Sequence, residues 1–346
     1  MKIFQCGNCH QPLFFENRSC QSCGYLCAYN DASRKMVSFP KNEITSILNG
    51  SSQDVKLCKN YELKVCNWLV TNHQTNGYCN ACTLNRTIPN LVSDEIIKKW
   101  KRLEYAKHRL IYQLQRLDLP LPSKTVSHET GLCFDFIVKG DRNIYTGHAN
   151  GVITILLAEA DSVNLEKVRK QLLEPYRTLI GHFRHEVGHY FWERLVRSDD
   201  NILKEFRSCF GDERPDYSET LNEYYKSGPR PNWKDDFITK YASSHPWEDW
   251  AETWAHYLHI IDTVETAYNF GLSVSPVSEY SEHMNTKIDI DPYIAKNFKT
   301  LIESCAPLFF AVNSINRSMG IKDVYPFIHN PSVVKKLKFI HDMLHP

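Results

Sequence analysis

The sequence predicts an α+β chain in two parts, a small cysteine-rich module stapled by metal and then a mainly helical domain with a small β-sheet. Three observations predict it. Nine of the twelve cysteines fall within the first 82 residues, several in metal-ligand spacing. Helical apolar periodicity dominates after residue 93. Two short strand-like runs, Cys133–Val138 and Val152–Ala158, stand between the helical tracts.

The composition bounds what such a chain can be. With 346 residues it is long enough to bury a sizeable core without disulfides. Lys and Arg number 41 against 40 Asp and Glu, which argues against chain-wide nucleic-acid binding or a polybasic membrane anchor. No apolar run approaches the ~20 residues that a membrane helix needs. The first residues show neither an apolar stretch nor a small-residue cleavage site, so the expected compartment is the reducing cytoplasm. Clustered cysteines there imply metal or catalysis and not disulfides.

The cysteines form two sets. Cys6-x2-Cys9 and Cys20-x2-Cys23 are two knuckles ten residues apart, the spacing of a four-thiolate zinc ribbon. Zinc suits four sulfurs because it is borderline soft and redox-inert, with iron as the rival. Cys27 and His10 stand nearby as spares. Cys58, Cys66, Cys79 and Cys82 make a looser second set, with His73 as an alternative ligand. The surrounding segment is short and polar, so a metal is expected to supply the stability that a small core cannot.

Beyond Pro89, Ser93 precedes the acidic turn Asp94-Glu95, a helix start signal. Ile96, Trp100, Leu103, Leu110, Leu114 and Leu117 recur at helical spacing until Pro120 and Pro122. The strand from Gly151 to Leu157 reads equally as a peptide-holding sheet edge or as ordinary core. A helical tract is expected from about Leu165, with Pro175 in the first turn of a new helix. Residues 200–244 are turn-rich and ambiguous. A further helix runs from Pro246 to about Phe270, with Ser244 able to cap it.

The helix after Pro175 contains His185-Glu186-Val187-Gly188-His189. Residues i and i+4 lie about 40° apart on a helix, so both imidazoles can grip one ion. Glu186 sits beside them as the general base that takes a proton from water. Phe183, Val187, Tyr190 and Val196 form an apolar stripe, as a buried helix requires. A third ligand is needed. Trp192 and Leu195 occupy the positions at which the HExxHxxGxxH pattern has Gly and His, so that route fails. A downstream helix offers Glu248 and Glu252 on one face, with His256 and His259 as lesser candidates for ligand or oxyanion donor. On the other face lie Trp247, Trp250 and Trp254, which marks a deeply packed helix. His182 shares the face of His185 and reads as a neighbour of the site, not a ligand.

These blocks resemble bacterial proteins with an N-terminal zinc ribbon followed by a zinc-binding metallopeptidase domain. The likeness extends over Cys66-Asn67-Trp68, Cys79-x2-Cys82, Ile88-Pro89, Thr146-Gly147-His148, Gly151 to Thr154, Glu159-Ala160-Asp161, Glu174 to Thr178, Gly181 to His189 and His245 to His259. Glu248-x-x-Ala251-Glu252 is similar to the third-ligand segment of gluzincin peptidases. That likeness implies Glu248 as the ligand and Glu252 as the acid that orients a ligand histidine. Also implied is a zincin-like hydrolase of peptide bonds, with one catalytic zinc and two structural ones. On this reading residues 1–90 are the zinc-binding domain, 91–120 a helical connector and 121–346 the metallopeptidase domain. The expected partners are a peptide or protein substrate and a protein docking on the ribbon, with neither membrane nor nucleic acid. The alternative is a zinc-binding interaction protein whose metal sites are all structural. A fourth protein ligand would favour it.

Overall fold

The computed structural model describes residues 1–43, 56–70, 76–138, 144–161, 178–277, 282–324 and 330–345. His73, the start of the tract expected from Leu165, Pro175 and residues 174–177 lie outside them. The chain divides into two compact units, Met1–Val168 and Arg169–Pro346. This division falls later than the expected joints near residues 90 and 120. The connecting helix and the sheet belong to the same unit as the cysteines.

In the first unit the cysteine-rich part is built of three short antiparallel pairs. They are β1 (Phe4–Gln5) with β2 (Pro12–Leu13), β3 (Leu26–Asn30) with β4 (Lys35–Phe39), and β5 (Lys56–Leu57) with β6 (Leu69–Val70). After β7 (Asn85–Thr87) comes helix α1 (Asp94–Arg116), where the Ser93 side chain accepts from the Ile96 N–H at 3.3 Å. The helix does more than connect. Its Tyr112 ring lies 5.3 Å from Phe15, and Phe15 and Trp68 lie 4.9 and 4.8 Å from Tyr29. Such a cluster of large buried rings gives the module an apolar core besides its thiolates.

Strands β8 (Cys133–Ile137), β9 (Gly147–Ala149) and β10 (Val152–Leu156) complete a sheet of order β7-β8-β10-β9. The β8–β10 pair is parallel and the β10–β9 pair antiparallel. β10 therefore has a neighbour on each side, β8 along its whole length and β9 over Val152–Thr154. Of the two readings weighed equally for this strand, ordinary core is the one found, with Ile153 and Ile155 buried, and not the peptide-holding edge.

In the second unit, α2 (Leu179–Phe191) begins at Thr178, whose hydroxyl accepts from the Gly181 N–H at 3.0 Å. It runs into a wider π-turn over Trp192–Val196. Helices α3 (Asp200–Phe210) and α4 (Tyr217–Ser227) fill the stretch that reads as turn-rich. Helix α5 (Pro246–Asn269) follows, capped not by Ser244 but by His245, whose Nδ1 accepts from the Trp247 N–H at 3.1 Å. The Ser244 hydroxyl is spent on the Tyr241 carbonyl. After a two-stranded pair, β11 (Ser273–Val274) with β12 (Thr286–Lys287), come α6 (Phe298–Ser318) and α7 (Pro331–Leu344).

Helices α2 and α5 approach closely because Gly188 has no side chain. A Cβ there would stand 3.2 Å from the Ala251 Cα and 3.1 Å from the Trp254 ring. Across this contact the Trp250 indole donates to the Gly188 carbonyl at 2.8 Å. Trp250, Trp254, Tyr257 and Leu258 form the buried face of α5. The buried Asp249–Lys336 pair, at 2.6 Å, ties α5 to α7. Among the described residues, no helix is long and apolar enough to cross a membrane.

Candidate metal centres

The first centre is made by two turns of the same build. The His10 N–H donates to the Cys6 carbonyl and the Gly24 N–H to the Cys20 carbonyl, each at 2.9 Å. His10 and Gly24 both have positive φ, +59° and +77°. The residue after each second cysteine thus makes the left-handed turn that folds the knuckle. His10 is there for its backbone and does not join the sulfur set. Cys6 and Cys23 approach to 3.6 Å, as do Cys9 and Cys20. Zinc–sulfur bonds of ~2.3 Å in a tetrahedron put neighbouring sulfurs ~3.8 Å apart, so the four sites fit that ion. Cys27 lies outside the set, its thiol near the Ser38 hydroxyl, and burial pushes it up to about 11.

Cys58, Cys66, Cys79 and Cys82 converge as the second centre, and all four are buried. The Cys79 N–H points at the Cys58 sulfur and the Trp68 N–H at the Cys66 sulfur, at 3.5 and 3.3 Å. Burial and the neighbouring sulfurs push the Cys66 and Cys79 thiols far up, so a cation is needed to hold them as thiolates. Helix α1 adds what the sequence spacing did not show. His108 Nε2 lies 3.7 Å from the Cys82 sulfur, and the buried Glu104 holds Lys107 at 2.8 Å.

The third centre lies between α2 and α5. His185, His189 and Glu248 offer ligand atoms all within 4.8 Å of one another. The two Nε2 atoms are 3.2 Å apart, and Glu248 stands 3.1 Å from His185 and 3.6 Å from His189. Zinc–nitrogen bonds of ~2.05 Å predict a nitrogen–nitrogen edge of ~3.3 Å in a tetrahedron. Glu248 is 1% exposed, and its Oε2 is buried with no donor in hydrogen-bonding geometry. A carboxylate oxygen left so is what a cation would satisfy. Residues and geometry therefore fit zinc.

Glu252 does not join this set. Its Oε1 takes His185 Nδ1 at 2.7 Å, which fixes the ring so that Nε2 faces the centre. Glu186 projects beside it and binds His182 at 3.1 Å. Burial pushes the Glu186 carboxyl up, but the His182 bond and the nearby imidazoles outweigh it and hold it at about 2. Although burial alone would raise it, His189 and His185 hold Glu248 well below the carboxylate range. Of the lesser candidates, His259 is occupied by Arg184, whose guanidinium also pairs with Asp262 at 2.6 Å. His256 packs beside His259 and outside the ligand set.

Two phenols at this centre were not foreseen. Tyr217 donates to Glu248 Oε1, and the Tyr241 ring lies 6.1 Å from the His185 ring. Asp216-x-x-Glu219 has capping-box spacing, and Asp216 accepts from the Glu219 N–H at 2.8 Å. That signal could have placed Tyr217 at a helix start.

A cysteine-stapled module and a His–His–Glu centre on two packed helices define a zinc-binding protein of metallopeptidase type. Residues 96–343 match the family described as "Putative zinc-binding metallo-peptidase", and residues 3–93 match a zinc-ribbon domain. The chain belongs to this metallopeptidase family. It is similar to proteins of Mycobacterium bovis and Mycobacterium tuberculosis, each titled an uncharacterized protein. Identity is 40% over 344 residues, covering 99% of this chain and 95% of each relative. No solved structure matches.

Proposed function

We propose that this chain is a zinc-dependent metallopeptidase, with His185, His189 and Glu248 as ligands and Glu186 as general base. The observation that carries the reading is the three-member ligand set with a further acid, Glu186, beside it and outside it. A zinc ion bound there would acidify water and polarise a peptide carbonyl. Glu186 takes the proton from the attacking water and passes it to the leaving amine. Its depressed carboxyl keeps it ionised, at a cost in basicity. Glu252 orients His185. Two thiolate-bound zinc ions brace the first unit, and the ribbon offers a face for a protein partner. Against a purely structural third site stand His182 and His259, which bond to Glu186 and Arg184 and lie outside the ligand set.

The test is Glu186→Gln. This variant is expected to keep the wild-type zinc content and to lose peptide hydrolysis by ~10²–10⁴-fold. Comparing the new N-termini in cells that make wild-type or variant protein also reports the substrate. Equal cleavage by both proteins would remove Glu186 from the reaction.

A further inference from the structure

We propose that His182 is a positioning residue that holds one oxygen of Glu186 and so aims the other at the water to be deprotonated. The inference rests on the metallopeptidase reading above. His182 precedes Glu186 by one turn on α2, with Nε2 3.1 Å from Oε1. A carboxylate can only accept, so this nitrogen carries the proton. The terminal torsion of a Glu side chain has a broad, shallow profile. Without an anchor, the Glu186 carboxylate would sample many orientations. With Oε1 bound, Oε2 is the oxygen left to accept from water.

His and Glu at i and i+4 often form a weak surface pair, but this pair is largely buried. The side chains are only 9% and 7% exposed, and Glu186 stands next in the chain to a ligand of the centre. His182 itself is outside the ligand set, its ring 6.4 Å from that of His185. The α2 motif thus extends to His182-x-x-His185-Glu186-x-x-His189. Each acid that flanks the ligands is tied to an imidazole, Glu252 to His185 and Glu186 to His182.

The experiment uses zinc-loaded full-length protein and a mixture of quenched fluorogenic peptides, followed by kinetics on the best-cleaved member. His182→Ala is expected to lower kcat ~10–100-fold, with KM and zinc content nearly unchanged. His182→Gln, which keeps an N–H donor of similar reach, is expected to restore most of the loss. Wild-type kcat in His182→Ala overturns the proposal, as does a Gln variant as slow as the Ala one. A second readout is independent of turnover. In protein labelled with ¹⁵N-histidine, the His182 ring N–H resonance is expected to resist exchange with water and to lose that protection in Glu186→Ala. If wild type cleaves nothing while the resonance stays protected, the peptidase reading fails and takes the positioning role with it. If wild type cleaves peptides and the resonance ignores Glu186→Ala, only the positioning role falls.

Discussion

The second cysteine centre and the His–His–Glu centre use burial in opposite ways. Around Cys58, Cys66, Cys79 and Cys82 every ligand is buried, peptide N–H groups face the sulfurs, and Lys107 and His108 lie alongside. Four sulfurs complete a tetrahedron, and such a site has no position left for a reactant. At the other centre Glu248 is 1% exposed, but the His185 and Glu252 side chains are 12% and 17% exposed. Among the described residues three ligand groups converge there, and Glu186 lies outside them, bonded to His182. A closed, charge-compensated sphere suits folding. A partly open one suits the chemistry proposed for it.

The largest expected effect breaks the closed centre. Cys66→Ser leaves three thiolates in a buried pocket. Structural zinc in small modules contributes on the order of 10 kcal/mol, comparable with the whole stability of a domain. The variant is expected to lose one zinc and to expose residues 56–116 to trypsin. A Cys66→Ser protein with full zinc and wild-type protease resistance would show that this centre is not a folding site.

Next in size is the open centre. Glu248→Ala is expected to lose the third zinc outright, while both thiolate ions stay. Glu252→Gln should keep that ion but bind it ~10–100-fold more weakly, because only the orientation of His185 is disturbed. Titration with a chromophoric chelator separates the two variants. The reverse ranking would exchange the roles of the two acids.

How much of this was legible follows from range. The knuckles, the His185–His189 pair and the Glu248–Glu252 face are local repeats of 3 or 4 residues, and the sequence shows them directly. Helix α5 was placed to within a residue at each end because three tryptophans and Pro246 mark it. Helix α4 was missed because its residues are largely exposed and polar, which weakens the apolar period, whereas α3 carries its period on Ile202, Leu203, Phe206 and Phe210 in a short stretch hemmed by turn residues. Tyr217 and His108 were missed for another reason. Each reaches its centre across tens of residues, and no spacing in the chain encodes that approach.

A smaller effect probes the wall between α2 and α5. Gly188→Ala places a methyl 3.2 Å from the Ala251 backbone, which cannot swing aside as a flexible side chain can. Overpacking of this kind costs about 1–3 kcal/mol. The expected result is a lower Tm together with weaker binding of the third ion alone, since α5 carries Glu248. Equal weakening at the thiolate centres would mean that the methyl acts on the whole chain and not on this wall.

The smallest expected effect sharpens the comparison at its other end, in the ligand count of the first centre. Cys27 is as buried as Cys6, and its thiol neighbours Ser38 and Tyr25 and not the sulfur set. It stands outside the four converging sulfurs, and burial favours its neutral thiol. Cys27→Ala therefore removes a small packed group and no charge. A cost of about 1 kcal/mol is expected, read as a slight fall in Tm with unchanged zinc content. Cys9→Ala, at an exposed member of the set, should lose a zinc despite its lesser burial. If the two variants exchange behaviour, the first centre uses Cys27 in place of Cys9. The two matching knuckle turns would then not be what sets its ligands.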